Sequence, residues 1–396
     1  MAKEKKMENF QFNANTQIFF GKGQISNLPN EIKKYGKKVL LVYGGGSIKK
    51  IGLYDTVVNL LKDSEIYELS GVEPNPKIES VRAGVRLCKE HSIEVVLAVG
   101  GGSVIDCAKI ISAATFCEED AWEMIKKSIK TEKALPIITV LTLSATGSEY
   151  DAGAIIANKS ENEKLGYESE LIRPKASILD PEYTFTVSAY QTAAGSVDII
   201  SHILEQYFVP YSPFLADKLC EAVLKTVIKY LPKAIENPED YEARGQLMWA
   251  SSIADNGILS LGSRITAFSC HGMEHELNAY YNTTHGVGLA IITIRWMRYI
   301  LSEKSNEEII ERFANYGINV WDIDSNLEKL EIAKKSIDLT EKFFKSLGIP
   351  MSLTELKIGE EHFEEMASNS VKYGFLEYAF VPLNKEDVIK ILKMCL

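Results

Sequence analysis

The chain has 396 residues, enough for two or three domains. Hydrophobic residues make up 46% and charged residues 25%, which excludes whole-chain disorder and a fibrous fold. Lysine and arginine total 44 against 54 aspartates and glutamates, a net charge of −10 that lacks the basic surface a nucleic-acid partner demands.

The N-terminal run Met1-Ala2-Lys3-Glu4-Lys5-Lys6 is charged, but no apolar core follows it, so no signal peptide is expected. No uncharged apolar stretch of about 20 residues occurs, so no membrane span is expected. The cysteines (Cys88, Cys107, Cys117, Cys220, Cys270 and Cys395) are scattered without a Cys-x-x-Cys pair, which fits a reducing cytoplasm. Cys270 stands beside His271 but reads as a small apolar filler.

Phe10 to Phe20 alternates and carries β-branched residues, so a hairpin at a sheet edge is expected there. Lys38–Tyr43 reads as a buried strand ending at Gly44-Gly45-Gly46-Ser47, with a helix over Gly52–Leu61. Val95–Val99 is a second such strand, ending at Gly100-Gly101-Gly102-Ser103, with a helix over Val104–Thr115. Pro136–Val140 is a third, leading into Thr142–Ser148, and Ala152–Ala157 continues beyond it to a polar turn at Asn158–Glu163. Near-continuous apolar strands separated by helices indicate a parallel sheet covered on both faces. After Ser188 the apolar residues recur at three and four over Ala189–Phe208, Pro213–Asn237, Pro238–Ser260, Ile265–Tyr280, Gly286–Leu301 and Leu327–Leu347. Pro210, Pro213, Pro232 and Pro350 mark expected breaks. Two domains follow: an α/β dinucleotide-binding domain over 1–187 and a helical metal- and substrate-binding domain over 188–396.

A Gly-Gly-Gly-Ser loop that opens a helix exposes backbone N–H groups, and without Cβ atoms a phosphate can approach them. Gly44, Gly45 and Ser47 in the first loop, and Gly101, Gly102 and Ser103 in the second, are therefore candidate cofactor contacts. The alternative is a tight strand-to-helix turn. Asp106, on the first turn after the second loop, either orients that loop or adds an N-terminal charge. The first loop has no carboxylate to hold a ribose 2′-hydroxyl, and Lys49 and Lys50 follow it, which favours NADP(H) over NAD(H).

Of six histidines, His202, His271, His275 and His285 fall within one part of the second half. Asp198 and His202 stand at i and i+4, as do His271 and His275, so each pair shares one helix face. Three or four imidazoles with one carboxylate make a divalent metal site, suited to iron or zinc. His91 and His362 sit in charged surroundings and read as surface residues.

These residues resemble the iron-containing (group III) alcohol dehydrogenases, within them the butanol dehydrogenase type. The resemblance covers roughly residues 8–395. It is carried by Gly195-Ser196-Val197-Asp198-Ile199-Ile200-Ser201-His202-Ile203-Leu204-Glu205, by the His271–His285 segment, and by Gly100-Gly101-Gly102-Ser103-Val104-Ile105-Asp106-Cys107-Ala108-Lys109. It implies the dehydroquinate synthase-like fold: a parallel-sheet α/β N-terminal domain followed by an all-α metal-binding domain. It implies metal ligands Asp198, His202, His271 and His285, with His275 a site histidine and candidate proton relay. It implies that Gly101, Gly102 and Ser103 hold a pyrophosphate, and that Thr142, Ser144 and Thr146 contact adenine and ribose. Asn158 and Lys164 match later cofactor contacts, Asn75 a loop beside the cofactor, and Leu179 a position near the adenosine. Gly44 stands where several members keep a discriminating aspartate, and Ser144-Ala145 departs from a threonine-rich loop. The implied activity is NAD(P)-dependent interconversion of small primary alcohols and aldehydes, with Fe²⁺ first and Zn²⁺ second, in a homodimer. Glycerol dehydrogenase activity is the alternative on the same scaffold. A dehydroquinate synthase would need more basic residues than Arg264 and Arg295 near the ligands. A non-redox metal hydrolase would not need the two glycine loops, and a silent NADP-binding protein would not need the ligand set.

Overall fold

The structure, a computed structural model, describes residues 6–396. Residues 1–5 of the charged N-terminal run lie outside them. In chain order the elements are β1 (Gln17–Phe20), α1 (Leu28–Lys33), β2 (Lys38–Tyr43), α2 (Ser47–Lys50), α3 (Leu53–Leu60), β3 (Glu65–Leu69), α4 (Ile78–His91), β4 (Val95–Gly100), α5 (Gly102–Ala114), α6 (Ala121–Lys126), β5 (Ile137–Leu141), β6 (Gly153–Asn158), β7 (Glu163–Glu168) and β8 (Ala176–Leu179). Then follow α7 (Ala189–Tyr207), α8 (Phe214–Glu236), α9 (Tyr241–Ala254), α10 (Ser269–Tyr281), α11 (His285–Glu303), α12 (Glu307–Trp321), α13 (Lys329–Ser346), α14 (Phe363–Tyr373) and α15 (Lys385–Met394). No helix among the described residues is long and apolar enough to cross a membrane.

Two compact units emerge, and the division is not a single cut in the chain. The sheet unit is Asn13–Ser188 with Glu236–Asn256, so α9 belongs to it. The helical unit takes the N-terminal segment up to Phe12, Ala189–Ile235 and Gly257–Leu396.

The sheet has six parallel strands in the order β1-β8-β5-β4-β2-β3. Alternate residues of β2 serve opposite faces: Leu40 and Val42 join one core cluster, and Val39, Leu41 and Tyr43 the other. That period of two, with both faces apolar, is why the strand reads as a continuous hydrophobic run. The chain leaves β2 for β3 on one side and returns to β4 on the other. The strand order therefore reverses between β2 and β4, the switch point where open α/β sheets bind ligands. The two Gly-Gly-Gly-Ser loops follow those two strands.

The loop between β5 and β6 is held from below by buried polar groups. Lys109 on α5 is wholly buried, and its ammonium donates to Asp151 Oδ1 at 2.7 Å, to the Asp151 carbonyl at 3.2 Å and to the Gly153 carbonyl at 2.8 Å. Asp106, one turn earlier, accepts from Ser148 Oγ at 2.6 Å and from the Ile155 amide at 3.1 Å. Glu149 accepts from Ser252 Oγ on α9 at 2.5 Å, and Ser177 Oγ on β8 donates to the Glu149 carbonyl at 2.6 Å. Burying ions in this way costs stability unless every donor and acceptor finds a partner, and Lys109 does.

Several expectations are corrected. Phe10–Phe20 forms no hairpin: only Gln17–Phe20 is a strand, and it pairs in parallel with β8, which supplies the partner a returning strand would have provided. β3, β7 and β8 carry no signal read from the sequence, because β3 is a half-exposed edge strand and β8 has four residues. Pro232 does not end its helix; α8 continues to Glu236. α12, α14 and α15 were not expected, although Asn306 caps the Ile309 amide at 3.0 Å and Asn384 with Asp387 forms a capping box.

Two predictions follow from this packing. A Cβ at Gly286 would overlap the Ala194 carbonyl where α11 meets α7. Gly286→Ala should therefore cost about 3 kcal/mol or prevent folding, measured by denaturant unfolding; an unchanged midpoint would show that the helices can part. Burial raises the Glu149 pKa to about 7, against the smaller opposing effect of the Ser252 hydrogen bond. Between about pH 5 and 7 the unfolded chain ionises this group and the folded chain keeps it protonated, so stability falls as pH rises. Glu149→Gln should remove this penalty, gaining up to about 3 kcal/mol over the parent at pH 8 but little at pH 5.

Candidate active site

In the helical unit, α7 is buried along most of its length and carries Asp198 and His202 one turn apart. α10 carries His271 and His275, and His285 is the first residue of α11. The three helices aim these side chains at one place. Asp198 Oδ1 lies 3.3 Å from His202 Nδ1, 3.5 Å from His271 Nε2 and 3.5 Å from His285 Nε2. Ligand atoms of Asp198, His202 and His271 all fall within 4.8 Å of one another, as do those of Glu274, His275 and His285.

Asp198 is 2% exposed, and burial alone would raise its pKa. The imidazoles of His202, His285 and His271 outweigh that and hold it far below the usual carboxylate range. Burial lowers the His271 pKa, but the Glu205 and Asp198 carboxylates bring it up to about 10. The field at this spot thus favours positive charge. Asp198 Oδ1 and His271 Nε2 are buried without a hydrogen-bond partner, which native interiors rarely tolerate. A carboxylate with three imidazoles, two of whose ligating atoms are orphaned, fits a divalent cation.

His275 is half-exposed, its ring 6.2 Å from that of His271 and 5.8 Å from that of His285. A ring nitrogen of His275 lies within 4.8 Å of ligand atoms of Glu274 and His285. His362 is exposed, whereas His91 is only partly so and stacks on Tyr67 with 4.1 Å between centroids. The Cys270 thiol is buried, and burial pushes its pKa well up, so it is a filler as read. Glu205 and Glu274 escaped the sequence reading; their carboxylates face the Nδ1 atoms of His271 and His285. The i, i+3 spacing of His202 and Glu205 was the available signal.

In the sheet unit, Gly44 closes β2 where a Cβ would press on the Val72 carbonyl at 3.2 Å, and Gly46 takes a φ of 112°. Ser47 opens α2. Gly101 caps α5, and a Cβ on Gly102 would overlap the Thr146 hydroxyl. The second glycine loop and the Thr142–Thr146 segment are therefore in contact, with Ser103, Thr142, Ser144 and Thr146 partly exposed. Asn75 has a left-handed φ of 56°, and the Ala157 amide donates to the Pro76 carbonyl at 2.9 Å. That bond, with the Ala157–Lys164 pairing of β6 and β7, gathers Asn75, Asn158 and Lys164. Lys77, not singled out from the sequence, bridges to Ala157. Burial lowers its pKa, with Lys164 and Lys159 adding to the effect and Glu73 and Glu79 opposing it.

Three candidates have other duties. Leu179 is wholly buried in the core, and its carbonyl accepts from the Gly21 amide at 2.9 Å, so it offers a ligand no surface. Both Asp106 oxygens accept from the β5–β6 segment, which makes it a residue that orients the loop. The Asn158 amide closes the β6–β7 turn, donating to Glu161 at 3.0 Å and accepting from Ser160 Oγ at 2.7 Å.

Comparison with known proteins agrees with both halves of this picture. The model described as iron-containing alcohol dehydrogenase matches residues 15–181, and that of the Fe-containing alcohol dehydrogenase C-terminal domain matches 192–396. The chain is 51% identical to NADH-dependent butanol dehydrogenase A of Clostridium acetobutylicum, over 98% of this chain and 99% of that one. It is 38% identical to the NADPH-dependent aldehyde reductase YqhD of Escherichia coli, over 88% and 89%. The crystal structure of NADH-dependent butanol dehydrogenase A from Thermotoga maritima superposes with a TM-score of 0.92 at 41% identity, covering 99% of this chain and all of that one. The glycerol dehydrogenase alternative finds no support among these relatives. A parallel sheet with two glycine loops, a helical unit with a carboxylate–imidazole cluster, and matches over both place this chain in the iron-containing alcohol dehydrogenase family.

Proposed function

We propose that this chain interconverts primary alcohols of a few carbons, butanol among them, with their aldehydes, using a nicotinamide cofactor and a divalent metal. The observation that carries the proposal is the convergence of Asp198, His202, His271 and His285 from three helices, with two buried ligand atoms lacking partners. The butanol dehydrogenase and aldehyde reductase relatives support the substrate class.

Those four residues would hold the ion, Fe²⁺ in this reading with Zn²⁺ as the alternative; when bound, the ion supplies Lewis acidity toward the substrate oxygen and the nicotinamide supplies or takes the hydride. The chain's own part is to bind and orient. Backbone N–H groups of Gly101, Gly102 and Ser103 receive the pyrophosphate, and Thr142, Ser144 and Thr146 border the adenosine. Lys164 and Lys77 add positive charge beside Asn75. His275, at the rim and partly exposed, moves the proton between the substrate oxygen and water.

The loop Gly44–Ser47 holds no carboxylate. The neighbouring acid, Glu68, already accepts from Tyr43 at 2.6 Å and Tyr54 at 2.7 Å. Lys49 lies over both tyrosine rings, 4.4 Å from the centroid of Tyr54. This arrangement supports acceptance of a 2′-phosphate, hence NADP(H) over NAD(H), whereas four relatives at 44–51% identity are named NADH-dependent and an aldehyde reductase at 38% is named NADPH-dependent. A cytoplasmic homodimer completes the reading. Six free, buried cysteines suit a reducing compartment, and β1 leaves one sheet edge open beside the part-exposed Phe20 and Trp249. Light scattering on the purified chain checks the dimer.

Butanal with NADPH should give a fall in absorbance at 340 nm that a chelator abolishes and Fe²⁺ restores; metal-loaded protein that leaves NADPH untouched would sink the redox reading. His271→Ala should lose metal and turnover together. His275→Ala should keep its metal, slow turnover about a hundredfold and alter the pH–rate profile. Lys49→Met should lower kcat/KM more with NADPH than with NADH, and an equal effect on both would remove the 2′-phosphate assignment.

A further inference from the structure

Asp198 is fixed in place by its helix, but an imidazole can present either nitrogen, and only an unprotonated one can bind a cation. What the second nitrogen meets decides which. Glu205, buried on α7 one turn after His202, reaches across to the start of α10. Its Oε1 accepts from the Cys270 amide at 2.6 Å, and its Oε2 accepts from the His271 amide at 3.2 Å and faces His271 Nδ1. Glu274, wholly buried on α10, presents Oε2 to His285 Nδ1. His202 Nδ1 instead lies 3.0 Å from the carbonyl of Asp198.

We infer that Glu205 and Glu274 are positioning residues for the metal centre, each holding the proton on Nδ1 of one histidine so that the bare Nε2 faces Asp198. The inference rests on the proposed ligand set. The Nε2 atoms of His271 and His285 are both 3.5 Å from Asp198 Oδ1, so the two tautomers point at the same spot. Carboxylates behind ligating imidazoles commonly orient the ring and raise its basicity.

The two carboxylates are not equivalent. Glu205 accepts from two backbone N–H groups and also faces His271 Nδ1; with the inferred Nδ1 proton, only an acceptor-only group satisfies all three. A glutamine there keeps the shape but brings its own NH₂. With its NH₂ in place of Oε1 it opposes the Cys270 amide; in place of Oε2 it opposes the His271 amide and also drives the Nδ1 proton to Nε2, which removes the ligand. At position 274 a glutamine can turn its carbonyl oxygen to His285 Nδ1 and retain the tautomer.

The test is Co²⁺ binding by chelator competition, with the d–d absorption band as a second readout, on the parent and on E205Q, E274Q, E274A and H285A. Glu205→Gln should weaken Co²⁺ binding roughly 10- to 100-fold and shift the band. Glu274→Ala should weaken it about tenfold, and Glu274→Gln by less than Glu274→Ala. A purely packing role predicts parental affinity in the isosteric E205Q, and affinity within twofold of the parent with an unchanged band in E205Q or E274A overturns the inference. If E205Q does not fold, the E274A and E274Q pair decides. If the parent fails to bind Co²⁺, or H285A binds as the parent does, the ligand set itself is wrong and the inference falls with it. If H285A loses binding while E205Q and E274A keep it, the ligand set stands and this inference alone fails.

Discussion

A carboxylate buried to the depth of Asp198 is unstable as an ion unless positive charge lies within a few ångströms. That requirement organises the helical unit. It draws α7, α10 and α11 together until three imidazoles stand 3.3–3.5 Å from one oxygen. It also explains why small residues stand where these helices meet: Gly286 follows directly after His285 because any side chain there would strike α7. Close approach of the backbones of α7 and α11 at Gly286 is what lets His285 reach the cluster.

The sheet unit solves a related problem with backbone dipoles. Its strand order reverses between β2 and β4, and at that point the two glycine loops lead into α2 and α5. The segment after β5 completes the arrangement, but it has no regular structure to hold it. Its later part is bonded to Asp106 and Lys109, which lie on the same helix that the second glycine loop opens. These two side chains tie α5 to residues 148–155, while Thr142–Thr146 meets the glycine loop directly, the Thr142 amide donating to the Gly100 carbonyl at 3.0 Å. The chain's negative balance is local in its effect: Lys77 has Lys159 and Lys164 as well as Glu73 and Glu79 for neighbours.

Much of this was legible before the structure. The strands β2, β4 and β5 announce themselves as apolar runs because parallel strands are buried on both faces. The i, i+4 pairs of Asp198–His202 and His271–His275 follow from helical geometry alone. Less was legible where burial is one-sided or where a side chain's task depends on a distant neighbour. β3 is a half-exposed edge strand with no regular alternation, and β8 is too short to show a period. α9 has helical spacing, yet nothing local says that it packs with the sheet unit. Leu179, Asp106 and Asn158 stand at positions matched to cofactor contacts, but core packing, the loop anchor and a turn occupy them.

The sequence by itself determined the local order: which segments are strands or helices, where glycine frees the backbone, and which residues can ligate. These depend on spacing and side-chain type, which are local quantities. Only the tertiary structure decided that His271 and His285, from different helices, present Nε2 to one oxygen, and that Glu205, 66 residues before His271, stands behind its ring. An imidazole's tautomer is set by whatever its other nitrogen touches, and contact between residues far apart in the chain exists only after folding.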